Sequence, residues 1–375
     1  MPNENQNENL TRAREAQKDE FYTQFDDIEK EINAYLEYNP DVFRGKTVLL
    51  PCDDPEWSNF TKFFALNFEY FGLKKLISTC YAFEGATPTQ PIKFVSRPPQ
   101  YNVEKSKTNG KILVLERMAD APMSINYKNL QWQYLEGDGD FRSREICNLR
   151  DQADFIITNP PFSLFREFLA WIIEAKKQFL IIGNMNAITY KEVFPLIKEN
   201  KIWYGCTISS GDREFGVPEE YPLEAAGYRI DERGNKCIRV KGVRWFTNLD
   251  HGRHHQELPL MTMADNLKFS KHDDLLEKHA YEHYDNYDAI EVPYTDAIPS
   301  DYEGVMCVPV SFLDKYCPEQ FEILGITQRN DDPYKTKKYS VEQYPNANDL
   351  NARGVIIVNG QPKSIYARIL IRKKL

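Results

Sequence analysis

The chain has 375 residues, 42% of them hydrophobic, enough to fill one large core or two ordinary ones. Its seven cysteines are scattered and form no C-x-x-C pair, which argues against a disulfide framework or a zinc ribbon and fits a reducing cytoplasm. No apolar run approaches the ~20 residues of a membrane span, the start lacks a signal-peptide core, and the net charge of −9 argues against nucleic-acid binding by overall charge.

Residues 1–17 lack apolar periodicity and read as a mobile segment. Phe21, Phe25, Ile28, Ile32, Tyr35 and Leu36 then recur at helical spacing and predict an amphipathic helix ending before Pro40. TVLLPCDDP (47–55) reads as a buried strand running into a turn. Ser58 caps a helix carrying Phe60, Phe63, Phe64, Phe68 and Phe71, closed by Gly72, and LKKLISTCYAF (73–83) is the second strand. A proline-rich loop over 87–100 precedes strand-like segments at 111–117 and 129–141, the latter with turn chemistry at Gly137 and Gly139.

DFIITNPPFSLF (154–165) is a buried strand stopped at Asn159-Pro160-Pro161-Phe162 and followed by a helix through Phe165, Phe168, Leu169, Ile172 and Ile173. A strand over 178–186, a short helix over 189–199, and strands over 201–208 and 238–249 complete the alternation. Strands and helices at this pitch predict a Rossmann-like, doubly wound, mostly parallel α/β sheet. Beyond residue 250 the chain turns to His, Asp, Tyr and Pro, predicting a second, irregular region over 251–375.

In an open α/β sheet the ligand lies at the carboxyl ends of the strands, where Asn159 to Phe162 fall. Two prolines fix φ and remove two N–H donors, so the Asn159 side-chain carbonyl and the Pro160 backbone carbonyl can face one N–H₂ group. An aromatic amine is a poor nucleophile because its lone pair is spread into the ring. Accepting both its hydrogens localises that pair and aims it at an electrophile. Phe162 would stack on the base, which requires the base to leave a duplex. The motif alone leaves other amines open: an RNA base, or a glutamine amide in a protein. A non-catalytic nucleic-acid-binding protein on the same fold is the rival of another class.

DEFYTQFDDIEKE (19–31), PCDDPEWSNF (51–60), the N-P-P-F corner, VPVSFLDKYCPEQFEILGI (308–326) and the IYARILIRKK tail (365–374) together resemble the EcoRI-type family of adenine-specific DNA methyltransferases, from about residue 18 to the end. The resemblance implies a class I methyltransferase fold, S-adenosylmethionine as methyl donor, and transfer to the exocyclic N6 amine of adenine by base flipping and direct in-line attack. It implies double-stranded DNA as partner, a cognate restriction endonuclease acting on the same site, a catalytic domain over 18–250 and a target-recognition region over 251–375. Asn159, Pro160, Pro161 and Phe162 match its catalytic motif, and Phe21, Tyr22 and Thr23 its N-terminal cofactor motif. The expectation is a cytoplasmic, monomeric enzyme without a metal.

Two features depart from the family pattern. The first strand ends in Pro51-Cys52-Asp53-Asp54-Pro55 with no glycine turn, leaving Asp53 and Asp54 as counter-charges for the ammonium and sulfonium of the donor. The second ends in Thr79-Cys80-Tyr81 with no acidic residue for the ribose, Glu84 being a candidate. Asp138 or Asp140 is expected to accept from the cofactor's adenine amine, with Phe141 stacked on its ring. Basic residues cluster late, at Arg239, Lys241, Arg244 and Arg253, again at Arg329, Lys335, Lys337 and Lys338, and from Lys363 to Lys374. Arg253, Lys335, Lys337 and Lys338 are taken as DNA contacts, Trp245 and Phe246 as contacts to the flipped base, and His251, His254 and His255 as surface or DNA-facing.

Overall fold

The computed structural model describes residues 23–82, 101–117, 130–208, 212–217, 228–231, 234, 236–277, 280–328 and 332–374. Phe21, Tyr22, Glu84, the 87–100 loop and Arg329 lie outside them. The chain divides into two compact units, Met1–Ala187 with Ile202–His251, and Ile188–Lys201 with Gly252–Leu375. The second unit thus takes in the predicted 189–199 helix as well as the C-terminal region.

The strands of the first unit are β1 (Thr47–Leu50), β2 (Lys75–Cys80), β3 (Lys111–Glu116), β4 (Gln133–Tyr134), β5 (Phe155–Thr158), β6 (Gln178–Asn184), β7 (Trp203–Tyr204), β8 (Asp212–Gly216), β9 (Tyr228–Ile230), β10 (Lys236–Lys241) and β11 (Val243–Thr247). Its helices are α1 (Phe25–Tyr38), α2 (Asn59–Leu66), α3 (Val103–Thr108), α4 (Arg144–Gln152) and α5 (Phe165–Glu174). Eight strands form one sheet in the order β4-β3-β2-β1-β5-β6-β11-β7. Its centre, β2-β1-β5-β6, is parallel, and antiparallel strands edge it on both sides. Every residue of β1 and β5 is buried, as their continuous apolar runs require when helices cover both faces.

The chain leaves β1 for β2 on one side and later returns β5 to the other, with Val48 opposite Phe155 and Leu49 opposite Ile156. The carboxyl ends of β1 and β5 therefore flank a topological switch point, where such sheets open a crevice. Ile28, Ile32 and Tyr35 line the buried face of α1. Phe43 meets Phe155 and Phe64 edge-on at 5.4 and 5.7 Å, locking α2 over β1 and β5. The segment 238–249, expected as one strand, is broken at Gly242, whose φ of +70° turns the chain. β10 goes to a separate three-stranded sheet, β8-β10-β9, and β11 pairs with β6.

The second unit holds α6 (Phe194–Lys198), α7 (Met263–Phe269), α8 (Asp273–Leu276), α9 (Ala347–Ala352) and the strands β12 (Ile290–Glu291), β13 (Met306–Pro309), β14 (Phe321–Ile326), β15 (Val355–Val358), β16 (Gln361–Ser364) and β17 (Arg368–Lys373). It is less irregular than expected: β12-β13-β17-β14 form a four-stranded sheet, and β15 and β16 form a separate hairpin. Arg368 ion-pairs with the buried Glu291 at 2.7 Å across that sheet. No helix among the described residues is long and apolar enough to cross a membrane.

Candidate active site

The loops after β1 and β5 meet through one carboxylate. Asp53, 5% exposed, accepts a 2.6 Å hydrogen bond from the Ser58 hydroxyl on one oxygen and a 2.6 Å bond from the Thr158 hydroxyl on the other. Its backbone is held as firmly, its N–H donating to the Thr79 carbonyl at 2.8 Å and its own carbonyl accepting from the Ser78 hydroxyl at 2.6 Å. Burial pushes the Asp53 carboxyl up to about 7 against the pull of the two hydroxyls, and neighbouring Asp54 adds to the rise. Ser58 also caps α2, accepting from the backbone of Phe60 and Thr61 at 3.0 and 3.3 Å.

Thr158 is the last residue of β5, so Asp53 braces the residue immediately before Asn159. Asn159 is 9% exposed and Pro160 is buried, whereas Pro161 and Phe162 are half-buried. Phe162 opens a 3-10 turn over Phe162–Leu164 and meets Phe215 edge-on at 6.4 Å, and α5 begins at Phe165. A Cβ on Gly183 would come within 2.4 Å of the Phe165 ring, so the bare backbone of β6 makes room for the side chain that anchors the corner.

The N-terminal motif reaches the same place. The Thr23 carbonyl accepts from the Asn59 side-chain amide at 2.8 Å, beside the Ser58 cap. The Thr23 hydroxyl is buried and has no hydrogen-bond partner among the described residues. A buried hydroxyl of this kind is costly unless something accepts from it or donates to it. It fits the expected contact with the cofactor's methionine carboxylate.

Other expected cofactor contacts are arranged differently. Both Asp53 oxygens already accept from hydroxyls of the chain. Asp54 and Glu56 bind the Lys111 ammonium at 2.8 and 2.7 Å, and Lys111 lies 5.1 Å from the Trp132 ring. Burial opposes the charge on Lys111, but Asp54, the Cys80 sulfur and Glu56 outweigh it and hold its pKa above the ordinary lysine value. The two aspartates therefore brace the loop instead of presenting open counter-charges to a sulfonium. Asp140 is taken by Arg142, at 2.6 Å to the guanidinium and 2.8 Å to its N–H, and the side-chain bond to Arg142 lowers its pKa. Phe141, expected to stack on an adenine ring, is buried edge-on against Phe168 and Trp171 at 5.1 and 5.6 Å. Asp138 stays half-buried in the loop that packs on the end of β2, its carbonyl accepting from the Ala82 N–H at 2.7 Å.

The expected DNA contacts divide the same way. Trp245 and Phe246 are 1% and 0% exposed on β11, Trp245 against Phe60 and Phe246 against Phe165 and Tyr204, so these rings fill the core and cannot meet a base. Arg244 of the late basic cluster is also buried, donating to the Val243 carbonyl at 2.9 Å. In the second unit the Lys335 ammonium donates to the Asn351 carbonyl and Lys337 to Asp285 at 2.6 Å, so both are engaged in holding the unit, while Lys338 is exposed and Arg253 half-exposed. His251 and His254 are buried, not surface groups, and His255 pairs with Glu319 at 2.9 Å.

Two contributors escape a reading of the sequence. One is the Ser58-Asp53-Thr158 bridge. The other is Glu31 on α1, a buried carboxylate that accepts from the N–H groups of Cys206 and Thr207, both at 2.8 Å, and from the Thr207 hydroxyl at 2.6 Å. Burial raises its pKa, and a Cβ on Gly205 would sit 2.2 Å from its oxygen, so this glycine is what lets the chain approach. A carboxylate one turn past a buried strand, and a hydroxyl just before a proline corner, are the signals in the sequence that point to the first bridge.

A sheet with a parallel centre, whose switch point joins an Asn-Pro-Pro-Phe corner to a braced loop and a buried N-terminal hydroxyl, defines a methyltransferase of the α/β class. Residues 9–374 match the family described as adenine-specific methyltransferase EcoRI, and the chain belongs to that family. It is 42% identical to the type II methyltransferase M.EcoRI of Escherichia coli over 370 residues, covering 98% of this chain and 97% of that one. It is 32% identical to M.MpnI of Mycoplasma pneumoniae, over 97% of this chain and 98% of the relative, and 32% identical to M.MgeORF184P of Mycoplasma genitalium with the same coverage. No solved structure matches.

Proposed function

We propose that the enzyme transfers a methyl group from S-adenosylmethionine to N6 of an adenine flipped out of double-stranded DNA, at a specific site. The observation that carries this reading is the Asn159-Pro160 corner at the switch point, held by the Thr158 bond to Asp53. When bound, the donor supplies an electrophilic methyl group on a sulfonium. The Asn159 side-chain carbonyl and the Pro160 carbonyl accept the two hydrogens of the adenine amine, localising its lone pair. Phe162 stacks on the base and the Thr23 hydroxyl would hold the donor's carboxylate; the amine nitrogen would bond to the methyl carbon as the carbon–sulfur bond breaks, leaving a neutral thioether and losing one proton to solvent, with no covalent enzyme intermediate. The three relatives named above as type II methyltransferases support DNA as substrate and a cognate restriction endonuclease as the functional partner. The second unit serves as the target-recognition region.

The test is Asn159→Ala, with cofactor affinity followed by titration calorimetry and methyl transfer followed on duplex DNA, RNA and total protein. Donor affinity is expected to persist while turnover on DNA falls by several powers of ten, because the amide acts mainly in the transition state. A loss below about tenfold would remove Asn159 from the mechanism. Label appearing in RNA or protein alone would overturn the substrate.

A further inference from the structure

Among the described residues the hairpin of β15 and β16 pairs with no strand of the other sheets. Its base is anchored: Val355 donates its N–H to the Asn286 side chain at 2.8 Å, Ile356 bridges Tyr284, and Ser364 donates to Asp349, which also pairs with Arg353 at 3.3 Å. Its outer half is open. Ile357 and Val358 point to opposite faces of the ribbon because successive residues alternate, yet they are 48% and 36% exposed. Asn359 and Gly360 close the tip with φ of +50° and +74°, the values a two-residue hairpin turn demands, and a Cβ on Gly360 would meet nothing within 4 Å.

An isolated two-stranded ribbon is at best marginally stable, and two unpaired edges invite aggregation, so a fold gains nothing in stability by projecting one. Charge says what covers it. In a chain of net charge −9, every charged residue from 350 to 375 is basic: Arg353, Lys363, Arg368, Arg372, Lys373 and Lys374. Arg368 is used by Glu291, whereas Lys363, Arg372 and Lys374 are exposed, and Tyr366 beyond the hairpin is 84% exposed. A two-stranded ribbon is one of the two elements that the major groove, about 12 Å wide and 8.5 Å deep, admits. From Ile356 to the turn the ribbon extends about 10 Å at 3.4 Å per residue, enough to reach the groove floor.

We propose that this hairpin is the element that reads the DNA sequence, entering the major groove with the side-chain amides of Asn359 at the tip and Gln361 toward base edges, Val358, which lies opposite Gln361 on the same face, toward a thymine methyl, and Lys363 toward phosphate. Side-chain amides pair with the exposed edge of adenine, and β-branched carbons suit the thymine methyl. The inference rests on the reading of the enzyme as a DNA methyltransferase.

The test uses the full-length enzyme in a methylation-free host whose DNA is then sequenced for modified adenines, with wild type, Gln361→Ala and Val358→Ala compared. These variants leave the Asn-Gly turn intact. Each is expected to relax the choice at one position of the site, with discrimination there falling roughly 5- to 150-fold and donor affinity unchanged. Lys363→Ala should weaken binding to all duplexes and lower the salt slope by about 1. Hydrogen exchange with and without a duplex carrying the wild-type site should show protection at 355–366. Unchanged specificity in both variants, or protection in 252–375 that spares 355–366, overturns the hairpin while leaving DNA methylation standing. Failure of the wild type to methylate DNA in that host would remove the reading beneath it.

Discussion

Asp53→Asn tests the brace at the switch point. In the wild type both carboxylate oxygens accept, one from Ser58 and one from Thr158. Asparagine offers one acceptor and one donor. Ser58 already accepts from two backbone N–H groups of α2, so it must keep donating and the amide oxygen must face it. The amide N–H₂ then faces Thr158, whose hydroxyl has to rotate and accept, and the disturbance falls on the residue before Asn159. The pH dependence gives the magnitude. The Asp53 carboxyl stands at about 7 in the folded chain against 3.8 ordinarily, so between these values the native state binds the extra proton. Stability from this group is therefore greatest at low pH and is lost as pH rises through about 7. At about 1.4 kcal/mol per tenfold change in proton affinity, the whole effect is roughly 4 kcal/mol, of which about 3 falls between pH 5 and 8. The variant has nothing to titrate there. Urea titrations of both proteins across that range should show the wild-type advantage shrinking by about 3 kcal/mol with rising pH. A difference flat within about 1 kcal/mol would refute a desolvated carboxylate between two hydroxyls.

Two further substitutions probe the loops around it. Thr23→Val removes a buried hydroxyl with no partner among the described residues, so the stability of the donor-free enzyme should hold or rise slightly, while S-adenosylmethionine affinity by calorimetry falls roughly tenfold or more; an unchanged affinity would release Thr23 from the cofactor site. Lys111→Met strands Asp54 and Glu56 without their shared cation, and urea unfolding should register a loss of about 3–5 kcal/mol, with a loss under about 1 kcal/mol excluding the triad.

The parts of this fold legible in the sequence are those whose signal is local. β1, β5 and β6 each carry a run of three or four consecutive apolar residues, Ser58 precedes a helix it caps, and the proline corner ends a buried strand. The sheet of the second unit was hidden because its pairings are distant in sequence: Met306 of β13 lies opposite Ile371 of β17. Trp245 and Phe246 illustrate a different failure. An aromatic pair on a strand has the same composition whether it stacks on a base or fills a core, and only the neighbours Phe60, Phe165 and Tyr204 decide. Likewise a lysine in a cluster reads as a phosphate contact until its partner is known, as Asp285 is for Lys337.

The missing glycine turn after β1 has a physical counterpart elsewhere in the crevice. Glycine permits close approach where Gly110 and Gly139 press on the end of β2: a Cβ on either would lie 2.4 or 2.3 Å from the Cys80 carbonyl oxygen. After β1 the backbone is instead drawn in by side chains, Asp53 to Ser58 and Thr158, and Asp54 with Glu56 to Lys111. A glycine cradle is shaped by backbone alone and transmits little. A carboxylate shared between a helix cap and the residue before Asn159 makes one rigid unit of the two loops. The Asp53 carboxylate thus ties the start of α2 to the residue before Asn159 through its bonds from Ser58 and Thr158, beside the direct pairing of β1 with β5.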